Sequence, residues 1–120
     1  MIRSLLRSVI HNATVTHVDP TWPAALRIDA VILRAAEILP LEAVEVINVT
    51  TGERFRTWAE PGEDGSGEVR LHAGVRNPMR VGDLITIACF GLLHDGQTLG
   101  HHARVVTLDG NNRVIAAEEE

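Results

Sequence analysis

Apolar and polar residues alternate along this chain in short stretches separated by Pro, Gly, Asp and Asn. That pattern predicts strands rather than long helices. Ser4 to Val18 mixes β-branched and polar residues, and Ala13-Thr-Val-Thr-His-Val18 reads as a strand. The turn Asp19-Pro20-Thr21-Trp22-Pro23 interrupts it, and Leu26-Arg-Ile28 follows as a short strand. Ile32, Ala35, Ala36 and Leu39 then recur at helical spacing behind a capping Asp29, and Pro40 is expected to end that helix. Glu42 to Val49 and Arg54 to Ala59 read as two strands joined by the tight turn Thr51-Gly52. Pro61 to Gly67 is a Gly-rich loop, Glu68–Leu71 a strand, and Val81-Gly82-Asp83 a turn into the buried strand Leu84–Phe90. His102–Leu108 and Arg113–Ala116 close as a hairpin through Asp109-Gly110-Asn111-Asn112. Many short strands with one or two short helices predict a mainly β fold, a small β-barrel.

Composition narrows the class. The 120 residues suit one domain, taken as residues 1–117, with Glu118, Glu119 and Glu120 as a solvated acidic tail. A core this small gains from burial between subunits. The formal net charge of −5 argues against a nucleic-acid surface, which needs a basic stripe. The single cysteine, Cys89, lies inside an apolar run and reads as buried and inert. With no disulfide possible within one chain, a reducing, cytoplasmic location is expected. Arg3 and Arg7 break the apolar N-terminus, and no stretch approaches membrane-spanning length. His94, His101 and His102 do not make a metal site on this reading. Neighbouring strand residues face opposite ways, and no HExxH or cysteine pair supports zinc. The Gly62–Gly67 loop lacks the lysine and following helix of a phosphate loop and reads as a plain turn.

Chemistry enters through an ordered series of motifs. Met1-Ile-Arg3, His11, Val15-Thr16-His17, Asp19, Ile28-Asp29, Asn48-Val-Thr50, Gly52, Arg54-Phe55, Thr57, Gly65-Ser66 and Val81-Gly-Asp83 follow one another without an obvious gap as far as about Asn112. In that order and spacing the chain resembles the pyruvoyl-dependent aspartate 1-decarboxylases that make β-alanine. The resemblance implies a double-psi β-barrel assembled as a homotetramer, with active sites between neighbouring subunits. It also implies a self-cleaving Gly-Ser bond whose serine becomes a pyruvoyl group, the electron sink for decarboxylation. Here Ala24-Ala25 stands at that bond. Ala25 has no hydroxyl to attack the preceding carbonyl, and Ala24 lacks the backbone freedom of glycine. Cleavage and the pyruvoyl cofactor are therefore expected to be absent, and no other cofactor is implied. Thr21 lies out of register as a substitute.

The resemblance assigns roles position by position. Arg54 matches the arginine that grips a substrate carboxylate. Thr57 matches a threonine that assists processing, although β propensity accounts for it equally well. Trp58 replaces a proton-returning tyrosine, and an indole N–H is no useful acid. His72 replaces an asparagine near the pocket and His11 is retained. Two imidazoles there permit acid–base catalysis, while a barrel histidine and a surface histidine are the plain alternatives. Val9 replaces a substrate-binding lysine, and Ile47 takes a place that is often aromatic. With Trp22 they describe a less charged pocket for a small carboxylate-bearing metabolite. Three functions follow: a repurposed, cofactor-free enzyme condensing an amine or hydrazine with a carbonyl or keto acid; a non-catalytic binding or regulatory homologue; and a residual aspartate 1-decarboxylase.

Overall fold

The computed structural model describes residues 1–21, 25–72 and 79–120, with His72 described by its backbone alone. The chain runs β1 (Ile2–Thr14), β2 (His17–Asp19), β3 (Leu26–Asp29), α1 (Ala30–Ala35), β4 (Ala43–Asn48), β5 (Arg54–Gly62), β6 (Val69–His72), β7 (Leu84–His94), β8 (Arg104–Leu108) and β9 (Val114–Glu119). These strands join in one mixed sheet, ordered β2-β6-β3-β5-β4-β7-β1-β8-β9. It wraps one apolar core built from Ile10, Leu26, Ile28, Val46, Ile87 and Val106 among others, in the manner of the double-psi β-barrel.

Strand parity decides what faces that core. On β4, Val44, Val46 and Asn48 are buried, while the alternate residues face outward. A bulge at Arg7 on β1 resets the parity, so that Leu6 pairs with Phe90 but Ser8 pairs with Cys89. A second irregularity follows Ile10, where Asn12 takes a φ of 65°.

Three buried polar side chains hold the turns. The Asp29 carboxylate caps α1 through the Val31 N–H at 2.9 Å and accepts the N–H groups of Gly65 and Gly67. Asn48 accepts the N–H groups of Thr50 and Thr51 and donates to Asp83 at 3.0 Å. Asn112 accepts from the Thr14 N–H and donates to the carbonyls of Thr14 and Gly67. Gly67 has a φ of +67°, and a Cβ there would lie 3.1 Å from the Asn111 carbonyl, so glycine is required on two counts.

The structure corrects several expectations. The strand read over residues 13–18 is instead the end of a long β1 and a separate β2. The chain breaks at Val15 and Thr16, which bond to Asp83 and Val69. Helix α1 stops at Ala35, well before Pro40. The N–H of Ile38 returns to the Leu33 carbonyl and that of Glu37 to Arg34, with Glu37 at a φ of 57°, so a left-handed cap ends the helix and leaves Leu39 exposed. Pro61 and Gly62 belong to β5, paired with Ile28 and Asp29, so the Gly-rich loop starts later than expected. The acidic terminus has exposed side chains but not a free backbone. Glu118 and Glu119 pair with Val105 and Arg104, and Glu120 bonds to Ala103.

Candidate active site

The register brings one group of expected site residues to a common level. Parallel pairing of β3 with β5 sets Leu26 opposite Ala59, and one residue back this puts Ala25 beside Trp58. Antiparallel pairing of β3 with β6 sets Arg27 opposite Arg70, and two residues back this puts Ala25 level with the backbone of His72. Ala25 is fully buried, carries a methyl group and offers no nucleophile. Thr57, next to Trp58, is half-buried on the core-facing side of β5. The Trp58 indole N–H donates to Glu60 at 3.3 Å. Of the remaining positions expected here, Trp22 and Ala24 and the side chain of His72 lie outside the described residues.

A second group occupies the outward face of the sheet. Val9 pairs with Ala88 on one side and Val105 on the other, and His11 pairs with Thr107. Across β7, Ala88 stands opposite Glu45 and Thr86 opposite Ile47, which in turn faces Arg54. Val9, His11, Ile47 and Arg54 therefore share one face. Val9 is buried, His11 is exposed beside the Asn12 irregularity, and Ile47 is half-buried. Three strand spacings, roughly 14 Å, separate β1 from β5 across this face. The Arg54 Nη1 donates to Glu45 at 3.1 Å, with the arginine side chain 66% exposed. Among the described residues nothing engages its Nε or Nη2, the edge that can grip a carboxylate with two parallel bonds. A cavity of about 220 Å³ lies against Arg54, lined also by Glu45, Phe55 and Arg56.

The expected residues thus fall into two groups within one chain. Arg54 lies about 10 Å along β5 from Thr57, on the opposite face. Two residues that sequence reasoning passed over matter here. Glu45 occupies part of the Arg54 guanidinium, and Arg56 stands directly across from Glu45. The alternation Arg54-Phe55-Arg56 signals a shared face for the two arginines, but the pairing with Glu45 is a matter of register.

The other candidates resolve simply. Burial pushes the Cys89 thiol up to about 11, with the nearby Glu42 carboxylate adding to the effect, so it is no nucleophile at neutral pH. His101 is half-buried, and its Nε2 lies 2.7 Å from the Leu6 carbonyl oxygen. His94 and His102 are exposed. Among the described residues no cluster of three His, Cys, Asp or Glu side chains is placed to hold a metal ion. No described helix is long and apolar enough to cross a membrane.

Comparison with known proteins agrees with the mainly β barrel fold. The aspartate decarboxylase family model matches residues 1–115. This chain belongs to the aspartate decarboxylase family. It is 39% identical to the aspartate 1-decarboxylase of Chromobacterium violaceum over 114 residues, covering 95% of this chain and 90% of the relative. It is 34% identical to the aspartate 1-decarboxylase of Listeria monocytogenes over 122 residues, covering 100% of this chain and 96% of the relative. The relative in Listeria innocua matches at the same identity and coverage. The family accounts for the barrel.

Proposed function

We propose that this family member does not process itself to a pyruvoyl enzyme and is a repurposed, cofactor-free enzyme. It condenses an amine or hydrazine with a carbonyl compound or keto acid, on a small carboxylate-bearing metabolite. The observation that carries this reading is the buried methyl group of Ala25 at the level of Trp58 and His72. An acyl shift needs a hydroxyl there, so a pyruvoyl group does not fit the residues present. Trp58 supports the same conclusion, since its only polar hydrogen is a poor acid and is bonded to Glu60.

The retained parts suit the new task. Arg54 holds the carboxylate through Nε and Nη2. The amine nitrogen adds to the carbonyl carbon, and His72 or His11 takes the nitrogen's proton and returns one to the departing oxygen, which leaves as water. Product and water together account for every atom of the two reactants. The two groups of site residues lie on different parts of one chain. That separation supports a site completed between copies, in a homotetramer, with the Arg54 face of one subunit against the Ala25 end of another.

Two measurements test the reading. Intact mass should give one species near 13.1 kDa, and two fragments breaking near residue 24 would overturn it. Product formation from paired amines or hydrazines and keto acids should then exceed the uncatalysed rate and fall with Arg54→Met and His72→Ala. Equal rates with and without protein would refute the enzyme. Similarity to named aspartate 1-decarboxylases favours a second reading, residual decarboxylation, and release of CO₂ from aspartate by the uncleaved chain would establish it. A ligand bound without turnover would instead mark a binding or regulatory homologue.

A further inference from the structure

One hydroxyl stands between His11 and Arg54 on the outward face of the sheet. Pairing of β4 with β7 sets Ile47 opposite Thr86, and pairing of β4 with β5 sets Ile47 opposite Arg54. On its other side β7 runs against β1, where Ile10 pairs with Ile87 and Ala13 with Ile85, so the irregular step at His11 and Asn12 lies across from Thr86. His11 in turn pairs with Thr107 on β8. Thr107, His11, Thr86, Ile47 and Arg54 therefore form one row across neighbouring strands, about 4.8 Å apart at each step. Ile85 and Ile87 are fully buried, so strand parity turns Thr86 outward.

Thr86 is half-buried, and its side chain makes no hydrogen bond among the described residues. Its oxygen is not one of the atoms sealed from solvent without a partner, so a ligand can reach it. The neighbours on this face are aliphatic: Leu84 and Ala88 along β7, and Ile47 and Val9 on the flanking strands. An unengaged hydroxyl in such surroundings fixes where a ligand's polar atom sits. Its place in the row says which atom. Arg54 lies two steps to one side, with a long side chain for a carboxylate, and His11 lies one step to the other, able to move a proton. A carbonyl oxygen at Thr86 stands between the two.

We propose that Thr86 is a catalytic residue whose hydroxyl donates to the carbonyl oxygen of a keto acid. This rests on the function proposed above, in which the same face meets the Ala25 end of another copy and the row lines the space where the reactants meet. As the amine nitrogen adds to the carbonyl carbon, the π electron pair moves to the oxygen, and a donor already aimed there stabilises the growing charge. Thr86 keeps its own proton. Two protons pass from the nitrogen to that oxygen through a histidine, the C–O bond breaks, and one water leaves a C=N bond behind. Thr107 carries the same hydroxyl on the far side of His11, away from Arg54, and takes no part.

Full-length protein is tested for binding and for turnover. Calorimetric titration compares 2-oxobutanoate with butanoate and 4-oxopentanoate with pentanoate, each pair differing only in the keto oxygen. The keto acid of at least one pair should bind about fivefold more tightly. Thr86→Val keeps the branched shape, loses the hydroxyl and should erase that preference, while Thr86→Ser should keep it. With an amine or hydrazine supplied, kcat/KM should fall about 10–100-fold in Thr86→Val, chiefly through kcat, and change by less than about threefold in Thr86→Ser and Thr107→Val. A threonine present only for its strand propensity is not rescued by serine in this way. No keto preference in the native protein, a preference that survives Thr86→Val, or equal losses from Thr86→Val and Thr107→Val overturns the proposal. Turnover undiminished in Thr86→Val overturns it and leaves the enzyme standing. A keto preference lost with Thr86→Val in a protein without turnover upholds the contact and refutes the enzyme.

Discussion

Asp29 and Arg54 both carry charge on the edge of the same barrel, yet they are handled in opposite ways. Asp29 is buried, and its two oxygens accept three backbone N–H groups from α1 and the loop at Gly65–Gly67. Arg54 is mostly exposed, with one nitrogen on Glu45 and two left over. Asn48 and Asn112 behave like Asp29, and Arg56 behaves like Arg54. Backbone groups that cannot reach water must be matched inside the molecule, so the first set is committed to architecture. Unmatched donors on an open face are available to a ligand. The motifs therefore divide into two kinds: Ile28-Asp29, Asn48-Val-Thr50 and Gly65-Ser66 build the barrel, and Arg54 leaves donors open to solvent.

The largest test of that division is Asp29→Ala. It orphans three backbone donors in buried surroundings, and urea unfolding should show a loss of about 4 kcal/mol. Asn112→Ala should cost less, about 2–3 kcal/mol, because the hairpin retains its own backbone ladder. If either variant unfolds like the native protein, the joints are not what holds the turns. Arg54→Met should reverse the pattern, lowering kcat/KM by about 10–100-fold while shifting stability by less than about 1 kcal/mol, since its ion pair is solvated. A large stability loss with normal binding would move Arg54 into the structural set.

The remaining predictions are smaller or concern reactivity. With its pKa pushed up to about 11 by burial, Cys89 should resist iodoacetamide at pH 7.5 and react only after unfolding, as intact mass would record. Rapid labelling of the folded protein would mean that the core face of β7 opens. Asp109 accepts the N–H groups of Arg113 and Asn111, which hold its carboxyl below the usual carboxylate range. Such a group stabilises the folded hairpin above the ordinary aspartate pKa of 3.8, and the contribution fades as pH falls through the lowered folded value. Amide protection in β8 and β9 should therefore decline modestly below about pH 4. Asp109→Asn should flatten that decline, and an unchanged acid profile in this variant would show that the turn does not depend on the charge.

Much of the molecule is legible in the residues. Period-two alternation identified the strands Leu26–Ile28, Glu42–Val49 and Glu68–Leu71, because a strand with one buried face must alternate, and a continuous apolar run identified Leu84–Phe90. The helix end was misread because apolar spacing continues through Leu39, while the actual stop is a left-handed Glu37, a conformation that glycine more often signals. The break at Val15–Thr16 was not legible either, since it depends on bonds to Asp83 and Val69, more than fifty residues away.

By itself the sequence determined the chemistry available: no hydroxyl at position 25, an indole at 58, an arginine at 54 and a single cysteine. These are covalent facts that folding cannot alter. Only the tertiary structure decided who stands beside whom. Parallel and antiparallel registers on the two sides of β3 bring Ala25 level with Trp58 and His72, and pairing through β7 puts Val9, His11, Ile47 and Arg54 on one outward face. The same pairing sets Glu45 opposite Arg56, while its carboxylate bonds to Arg54 on the diagonal. Register is a long-range property, set by which strands find each other, and one residue of slip would turn each of these side chains to the other face.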